Sequence, residues 1–241
     1  MNPRARPRFA ATGPDRWPHP NRRAKNRIAY RQLESALEHA ASNYARGRLV
    51  DVGCGRKAWE PLFAAHVDEH VGVDHVPKLV DGVDRVDVIA TAYEVPLPDG
   101  HADTVLLAEV LEHLENPGRG LAECARLLKA GGHLIVTTPF FWPVHDERDF
   151  YRYAPGGLRF LLEEAGLEVV EIVPLSGVWG TVSLQVSYAL ERYRRGPAAS
   201  PVDVVTSGIQ WLAARLDRVD FQPKFSWNHL AVARKPEMVG R

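Results

Sequence analysis

The chain has 241 residues, 45% apolar and 25% charged, and its 30 basic residues balance 30 acidic ones to a formal net charge of zero. This is ordinary for one sizeable α/β domain with an appendage, and it leaves no global basic footprint for nucleic acid. Two cysteines, Cys54 and Cys124, are too few for a disulfide scaffold and lack metal-ligand spacing, so a reducing cytoplasm is the expected compartment. No apolar run reaches the length of a membrane span.

Residues 1–22 carry five prolines, several arginines and little that could pack, which predicts a solvated flexible tail. Arg4, Arg6 and Arg8 are not followed by an apolar stretch, so the segment does not read as a secretory signal. From Asn26 onward, Ile28, Tyr30, Leu33, Leu37, Ala41 and Tyr44 recur at helical spacing, with Gly47 as the expected cap. Strands and helices then alternate. Strands are predicted at Arg48–Val52, His70–Asp74, Val86–Ala90, Asp103–Ala108, His133–Thr138 and Leu167–Val173. Helices are predicted at Ala58–His66, after strand four through Lys129, and at Pro155–Ala165. This βαβ rhythm implies a mostly parallel sheet with helices on both faces.

The domain organisation expected is one domain over 23–236, with a core at 48–175, a helical insertion at 176–224 and a final strand at 225–236. Val178–Tyr193 and Val202–Val219 read as helices, separated by the breaker Gly196–Pro201.

A strand, a glycine turn and a helix together form a nucleotide-cofactor arrangement, because glycine lets backbone approach a ligand and a helix start offers unpaired N–H groups. Gly53-Cys-Gly55-Arg-Lys-Ala58 satisfies the dinucleotide pattern with alanine in third place. Asp74 lies about 20 residues further, where that pattern expects a ribose carboxylate. A nicotinamide cofactor is therefore open on these residues. Asp51, just before the turn, opposes a pyrophosphate and suits a ligand with an amino group and a sulfonium. The run Val95–Asp103 leads into a strand, and Ala108-Glu-Val-Leu-Glu-His-Leu114 opens the next helix.

The segments Leu49–Gly55, Val71–Asp74, Pro96–Asp99, Leu111–Leu114 and Leu127–Val136, in that order, resemble class I S-adenosylmethionine-dependent methyltransferases of the type 11 group. The resemblance covers roughly residues 48–173. It implies a Rossmann-like seven-stranded, mostly parallel sheet with an antiparallel last strand, and S-adenosylmethionine as cofactor, with Asp51, Gly53 and Gly55 at its methionine end. Asp74 would take the ribose hydroxyls, with His75 beside it, because a carboxylate matches a vicinal diol. Thr91, Ala92 and Tyr93 would lie over the adenine, although relatives often have an acidic residue where Thr91 stands. Ala108 and Glu109 follow strand four at the carboxyl edge, and Glu112 and His113 match the family's acidic–histidine pair, which equally serves as a helix anchor. Trp59 is read as packing.

Methyl transfer needs alignment of acceptor, methyl carbon and sulfur, and a hydroxyl acceptor gains from a base. The stretch Pro139–Pro155 follows strand five on the ligand edge. In it, His145 is the expected base, oriented by Asp146 or Asp149, and Trp142, Arg152 and Tyr153 are expected to meet the acceptor. An Arg–Asp pair that merely folds the loop is the competing role for Arg152. The acceptor expected is a small molecule or saccharide, at oxygen, in glycan or natural-product biosynthesis; a metal is not expected. The insertion is open to three roles: a lid, a homodimer interface, or a peripheral contact with a lipid-linked acceptor. A nicotinamide-dependent oxidoreductase and a non-catalytic S-adenosylmethionine-binding protein are the alternative functions.

Overall fold

The computed structural model describes residues 23–76, 79–80, 83–195 and 199–237. The expected tail over 1–22 lies outside the described residues, as do 196–198 of the expected breaker. Helix α1, Arg27–Tyr44, buries Ile28, Leu33, Leu37 and Ala41 on one stripe. It stops at Tyr44, three residues before the expected cap. Gly47, at φ +56°, instead turns the chain into the sheet, where a Cβ would collide with the Asp103 carboxylate.

Strand β1, Arg48–Val52, comes next, followed by the single turn α2, Glu60–Phe63, shorter than the helix expected over Ala58–His66. Residues 58–59 before α2 and 64–66 after it are turns, and Lys57, at φ +51°, lies in the left-handed region. Strand β2, Glu69–Asp74, leads to a two-stranded ribbon, β3, Leu79–Val80, with β4, Val83–Asp84. Strand β5 is only Val88–Ile89, shorter than expected, because the Asp87 side chain takes the Gly72 N–H at 2.6 Å in place of a ladder carbonyl. Strand β6, Ala102–Ala108, helix α3, Pro117–Leu127, and strand β7, Leu128–Pro139, complete the first half. Helix α4, Pro155–Glu164, strand β8, Glu168–Pro174, helices α5, Val178–Leu190, and α6, Ala199–Val219, and strand β9, Asn228–Arg234, follow.

The seven-stranded sheet has the order β5-β2-β1-β6-β7-β9-β8. The pairs β5/β2, β2/β1, β1/β6 and β6/β7 are parallel. Gly131 meets Lys235 at one end of β7 while Phe140 meets Trp227 at the other, so β9 runs antiparallel. The chain moves outward from β1 through β2 to β5, then returns to lay β6 beside β1. The order reverses at that point, so the crevice beyond the carboxyl ends of β1 and β6 is where such sheets bind ligands.

The described residues fall into two compact units. The larger holds Leu37–Pro139, Val144–Ile172 and the described residues from Leu230. Its core packs Val50, Val52, Val73, Val105, Leu107, Leu134 and Val136 with Leu121 and Leu127 of α3 and Leu158 and Leu162 of α4. Each such side chain, fully buried, contributes about 1.5–3 kcal/mol relative to exposure.

The second unit holds the described residues up to Ala36, Phe140–Pro143 and Val173–His229. The segment read as an insertion is thus joined there to the first half of α1. Gln210 of α6 binds the Ile28 N–H at 2.9 Å, the Lys25 carbonyl at 2.7 Å and Ser187 of α5 at 3.0 Å. Asp217 caps α5 by accepting from the N–H groups of Gly177, Trp179 and Gly180. Among the described residues no helix is long and apolar enough to cross a membrane.

Candidate functional site

A cavity of about 500 Å³ lies in the larger unit at the sheet's switch point. Its walls include Gly53, Gly55, Asp74, His75, Thr91, Ala92, Tyr93, Glu109, His113, Asp146 and Arg148. The glycine turn is built by the strand ends. The N–H groups of Gly53 and Cys54 both donate to the Val73 carbonyl, at 2.8 and 3.0 Å. Gly53 and Gly55 have φ of +75° and +53°, conformations open to glycine at little cost. A Cβ on Gly53 would strike Val110 at 2.5 Å, whereas a Cβ on Gly55 would meet nothing within 4 Å. Gly53 is thus required by packing, and Gly55 borders free space in the cavity.

Asp74 ends β2 and is 7% exposed. Its Oδ2 accepts from the Gly55 N–H at 3.0 Å, and its Oδ1 accepts from the His75 N–H at 2.7 Å and lies 2.9 Å from His75 Nδ1. A carboxylate has about four acceptor sites, so one on Oδ2 stays open. The His75 ring is 71% exposed and can turn away to free another.

Asp51 is placed elsewhere. It is buried, it does not line the cavity, and its Oδ2 lies 3.1 Å from His70 Nε2 on β2. Its charge is therefore answered by a neighbour on the sheet, and the electrostatic case against a pyrophosphate does not run through it. Ala108 ends β6 beside the cavity without lining it. Glu109, next to it, is held at φ +55° with its N–H on the Thr137 carbonyl at 3.1 Å. A non-glycine residue in that region is strained, and such strain concentrates at functional positions.

The expected helix at Leu111–Leu114 is instead a 3-10 turn, Leu111–His113. Helix α3 starts only at Pro117, with the Asn116 side chain accepting from the Arg119 N–H at 3.2 Å. Proline suits the first helical position and excludes an earlier continuous helix. The turn buries Glu112 completely and leaves both its carboxyl oxygens without a hydrogen-bond partner. Burial, reinforced by the Glu109 charge, holds this carboxyl well above the usual range.

His145 Nδ1 lies 3.0 Å from Asp149 Oδ2, and the His145 N–H donates to the same oxygen at 3.1 Å. Arg152 grips Asp149 with two guanidinium nitrogens, one at 2.6 Å from Oδ2. That ion pair, outweighing burial, lowers the Asp149 carboxyl to about 2. The orienting carboxylate for His145 is therefore Asp149. Asp146 lines the cavity and caps the Glu147 N–H at 2.7 Å.

Arg152 is spent on this loop, the competing role given to it above. Tyr153 is buried and donates its hydroxyl to the Leu111 carbonyl at 3.1 Å. Trp142 lies in the second unit, edge-on to Tyr188 at 5.0 Å and beside Trp227 at 4.9 Å. None of the three lines the cavity. His113 and Arg148, which do, were not singled out for the acceptor side; only the fold of the 3-10 turn against the loop after β7 brings them there. The turn Pro96–Asp99 has a structural role, since Arg126 binds Asp99 at 2.7 Å and the carbonyls of Val95 and Leu97 at 2.9 Å.

A glycine turn, an acidic residue ending the second strand and a pocket at the switch point define the Rossmann-like class that binds an adenosine cofactor. Residues 50–136 match the family described as a methyltransferase domain. A protein of Mycobacterium tuberculosis (strain CDC 1551 / Oshkosh), named a probable S-adenosylmethionine-dependent methyltransferase, is 32% identical over 115 residues, 46% of this chain and 42% of that one. A ubiquinone biosynthesis O-methyltransferase of Dechloromonas aromatica is 30% identical over 160 residues, 61% of this chain and 66% of that one. The chain thus spans less than two thirds of either relative. A solved S-adenosylmethionine-dependent methyltransferase of Archaeoglobus fulgidus superimposes with TM-score 0.55 at 22% identity, over 84% of this chain and 93% of that one. Residues 50–136 thus resemble class I methyltransferases of the type 11 group, and the methyltransferases they resemble use S-adenosylmethionine as cofactor.

Proposed function

We propose that this chain transfers the methyl group of S-adenosylmethionine to an oxygen of a small-molecule or saccharide acceptor. The observation that carries this reading is the pairing of Asp74 with Gly55 on one wall of the cavity. The residues fit the cofactor: Asp74 has acceptor capacity for the ribose diol, Gly55 leaves a cradle that a side chain would fill, and Thr91, Ala92 and Tyr93 wall the adenine end. When bound, the cofactor supplies an electrophilic methyl group on a sulfonium. The chain's part is to hold donor and acceptor in line and to exclude water.

On the acceptor side stand His113, Asp146 and Glu109, with His145 behind His113 in an edge-on ring contact at 5.2 Å. The Asp149 contact fixes the proton on Nδ1 of a neutral His145, leaving Nε2 as its lone pair. As a base, that nitrogen would take the proton of an acceptor hydroxyl. The relative named as an O-methyltransferase supports oxygen as the atom methylated.

The test is turnover. Purified protein with S-adenosylmethionine and a panel of phenols, catechols and monosaccharides should form S-adenosylhomocysteine with at least one acceptor. Methylation at nitrogen or carbon alone would overturn the oxygen assignment. Cofactor binding without product on any acceptor, even at high enzyme concentration, would favour a non-catalytic binding protein.

A further inference from the structure

Glu112, His113 and His145 each bring one ligand atom within 4.8 Å of the other two. We propose that these three side chains form a binding site for one divalent transition-metal ion at the acceptor end of the cavity. The sequence did not announce it, because no spacing of ligands in the chain matches a metal motif. The fold assembles it from the 3-10 turn after β6 and the loop after β7.

Four features carry the assignment. First, a carboxyl with no exposed surface and two unpartnered oxygens is costly unless something compensates it. A cation would compensate Glu112, and burial would then no longer favour its protonated form. Second, both imidazoles are oriented as metal ligands. His113 Nδ1 lies 2.6 Å from the Arg148 carbonyl and His145 Nδ1 lies 3.0 Å from the Asp149 carboxylate. Each partner only accepts, so each ring carries its proton on Nδ1 and presents a bare Nε2. Carbonyl and carboxylate supports of this kind are the usual outer shell of metal-bound histidines.

Third, Glu112 Oε1 and His113 Nε2 are 3.7 Å apart, too far for a hydrogen bond. That is close to the ~3.4 Å between two ligands that each sit about 2.0–2.1 Å from a tetrahedral ion. Fourth, the site is reachable. The side chains of His113 and His145 are 27% and 37% exposed, and three protein ligands leave a coordination position open toward the cavity. Two imidazoles and one carboxylate select Zn²⁺ or a neighbouring first-row ion over Mg²⁺ or Ca²⁺, which prefer oxygen.

The role of the ion, unlike its binding, rests on the methyl-transfer reading. With the ion in place, Nε2 of His145 is a ligand and not a base. An acceptor hydroxyl bound at the open position is acidified and loses its proton to solvent. The resulting oxyanion forms the O–C bond as the C–S bond breaks, and the sulfur leaves as a neutral thioether. Charge balances: a sulfonium cation and an oxyanion give two neutral products.

The experiment uses the full chain, stripped by dialysis against a chelator and titrated with Co²⁺, whose visible absorption reports its coordination, and with Zn²⁺ by calorimetry. One equivalent of each should bind, with Zn²⁺ displacing Co²⁺ and abolishing the band. Glu112→Gln, which keeps the shape of the buried side chain, and His145→Gln should each weaken binding at least tenfold, while His66→Gln, on another part of the surface, should not. Circular dichroism and S-adenosylhomocysteine binding on the same samples show whether each variant is folded. Absence of a stoichiometric Co²⁺ band in the wild type, or unchanged affinity in both folded variants, overturns the site. Retained S-adenosylhomocysteine binding with no metal sinks the metal alone; metal binding without S-adenosylhomocysteine binding sinks the function proposed above instead.

Discussion

His229 shows how one buried side chain couples the fold to pH. It is 2% exposed, its Nδ1 has no partner, and its ring lies 5.5 Å from that of Phe140. Burial alone lowers it to about 4. In the unfolded chain it returns to about 6.5, so between those values the unfolded state binds the extra proton. Its contribution is complete above the unfolded value and is lost as pH falls through the folded one, roughly 3 kcal/mol in all. Urea midpoints should therefore fall from pH 7 to pH 4 in the wild type, and His229→Gln should flatten part of that acid limb. An unchanged slope in the variant would place the proton uptake elsewhere. At this same scale, residue identity was legible while residue partnership was not. Asp51 stood where the resemblance puts a cofactor contact, yet it is bound to His70, two positions from its ladder partner Gly72 on the adjacent strand. Only the register of β1 on β2 sets that pair, and register is a tertiary property.

At the level of elements, periodicity located the main strands because each holds a short apolar run; Gly53 follows the first and Asp74 ends the second. Starts and stops were less legible, since single residues override pattern there. Glu109 in the left-handed region, then Asn116 and Pro117, break what reads as one helix into a 3-10 turn and a later helix. That break places His113 on the cavity wall and Glu112 beneath it. The Asn116 cap can be tested separately from any activity. Asn116→Ala should destabilise the protein by about 1 kcal/mol, the usual cost of losing an N-cap, read as a lower urea midpoint with an unchanged slope. A variant as stable as the wild type would mean that Pro117 and packing alone define the start of α3. The loop after β7 was recognised as polar and functional in character, but its internal bonding was not. Asp149, Arg152 and Tyr153 hold the loop and the turn, and the side chains left facing the cavity are Asp146 and Arg148.

Across the whole molecule, chain order carried the fold. Alternating strands and helices with a glycine turn after the first strand fix a switch point, and the cavity lies there. The described residues form two compact units, and the segment after Pro174 belongs with the start of α1 through the Gln210 bonds. Sequence could not reveal this, because residues 24–28 and Gln210 are far apart in the chain and neither stretch carries a motif. The matched segment ends at residue 136, before the loop that brings Asp146 and Arg148 to the cavity wall. Calorimetry reads directly which cofactor the cavity holds. Wild-type protein is titrated with S-adenosylhomocysteine and separately with NADH, and Asp74→Ala with S-adenosylhomocysteine. The expected result is micromolar, one-to-one binding of S-adenosylhomocysteine, weakened at least about tenfold in the variant, a loss of about 1.4 kcal/mol or more, and no heat from NADH. Binding of NADH alone, or S-adenosylhomocysteine binding indifferent to Asp74, would overturn S-adenosylmethionine as the ligand of this cavity.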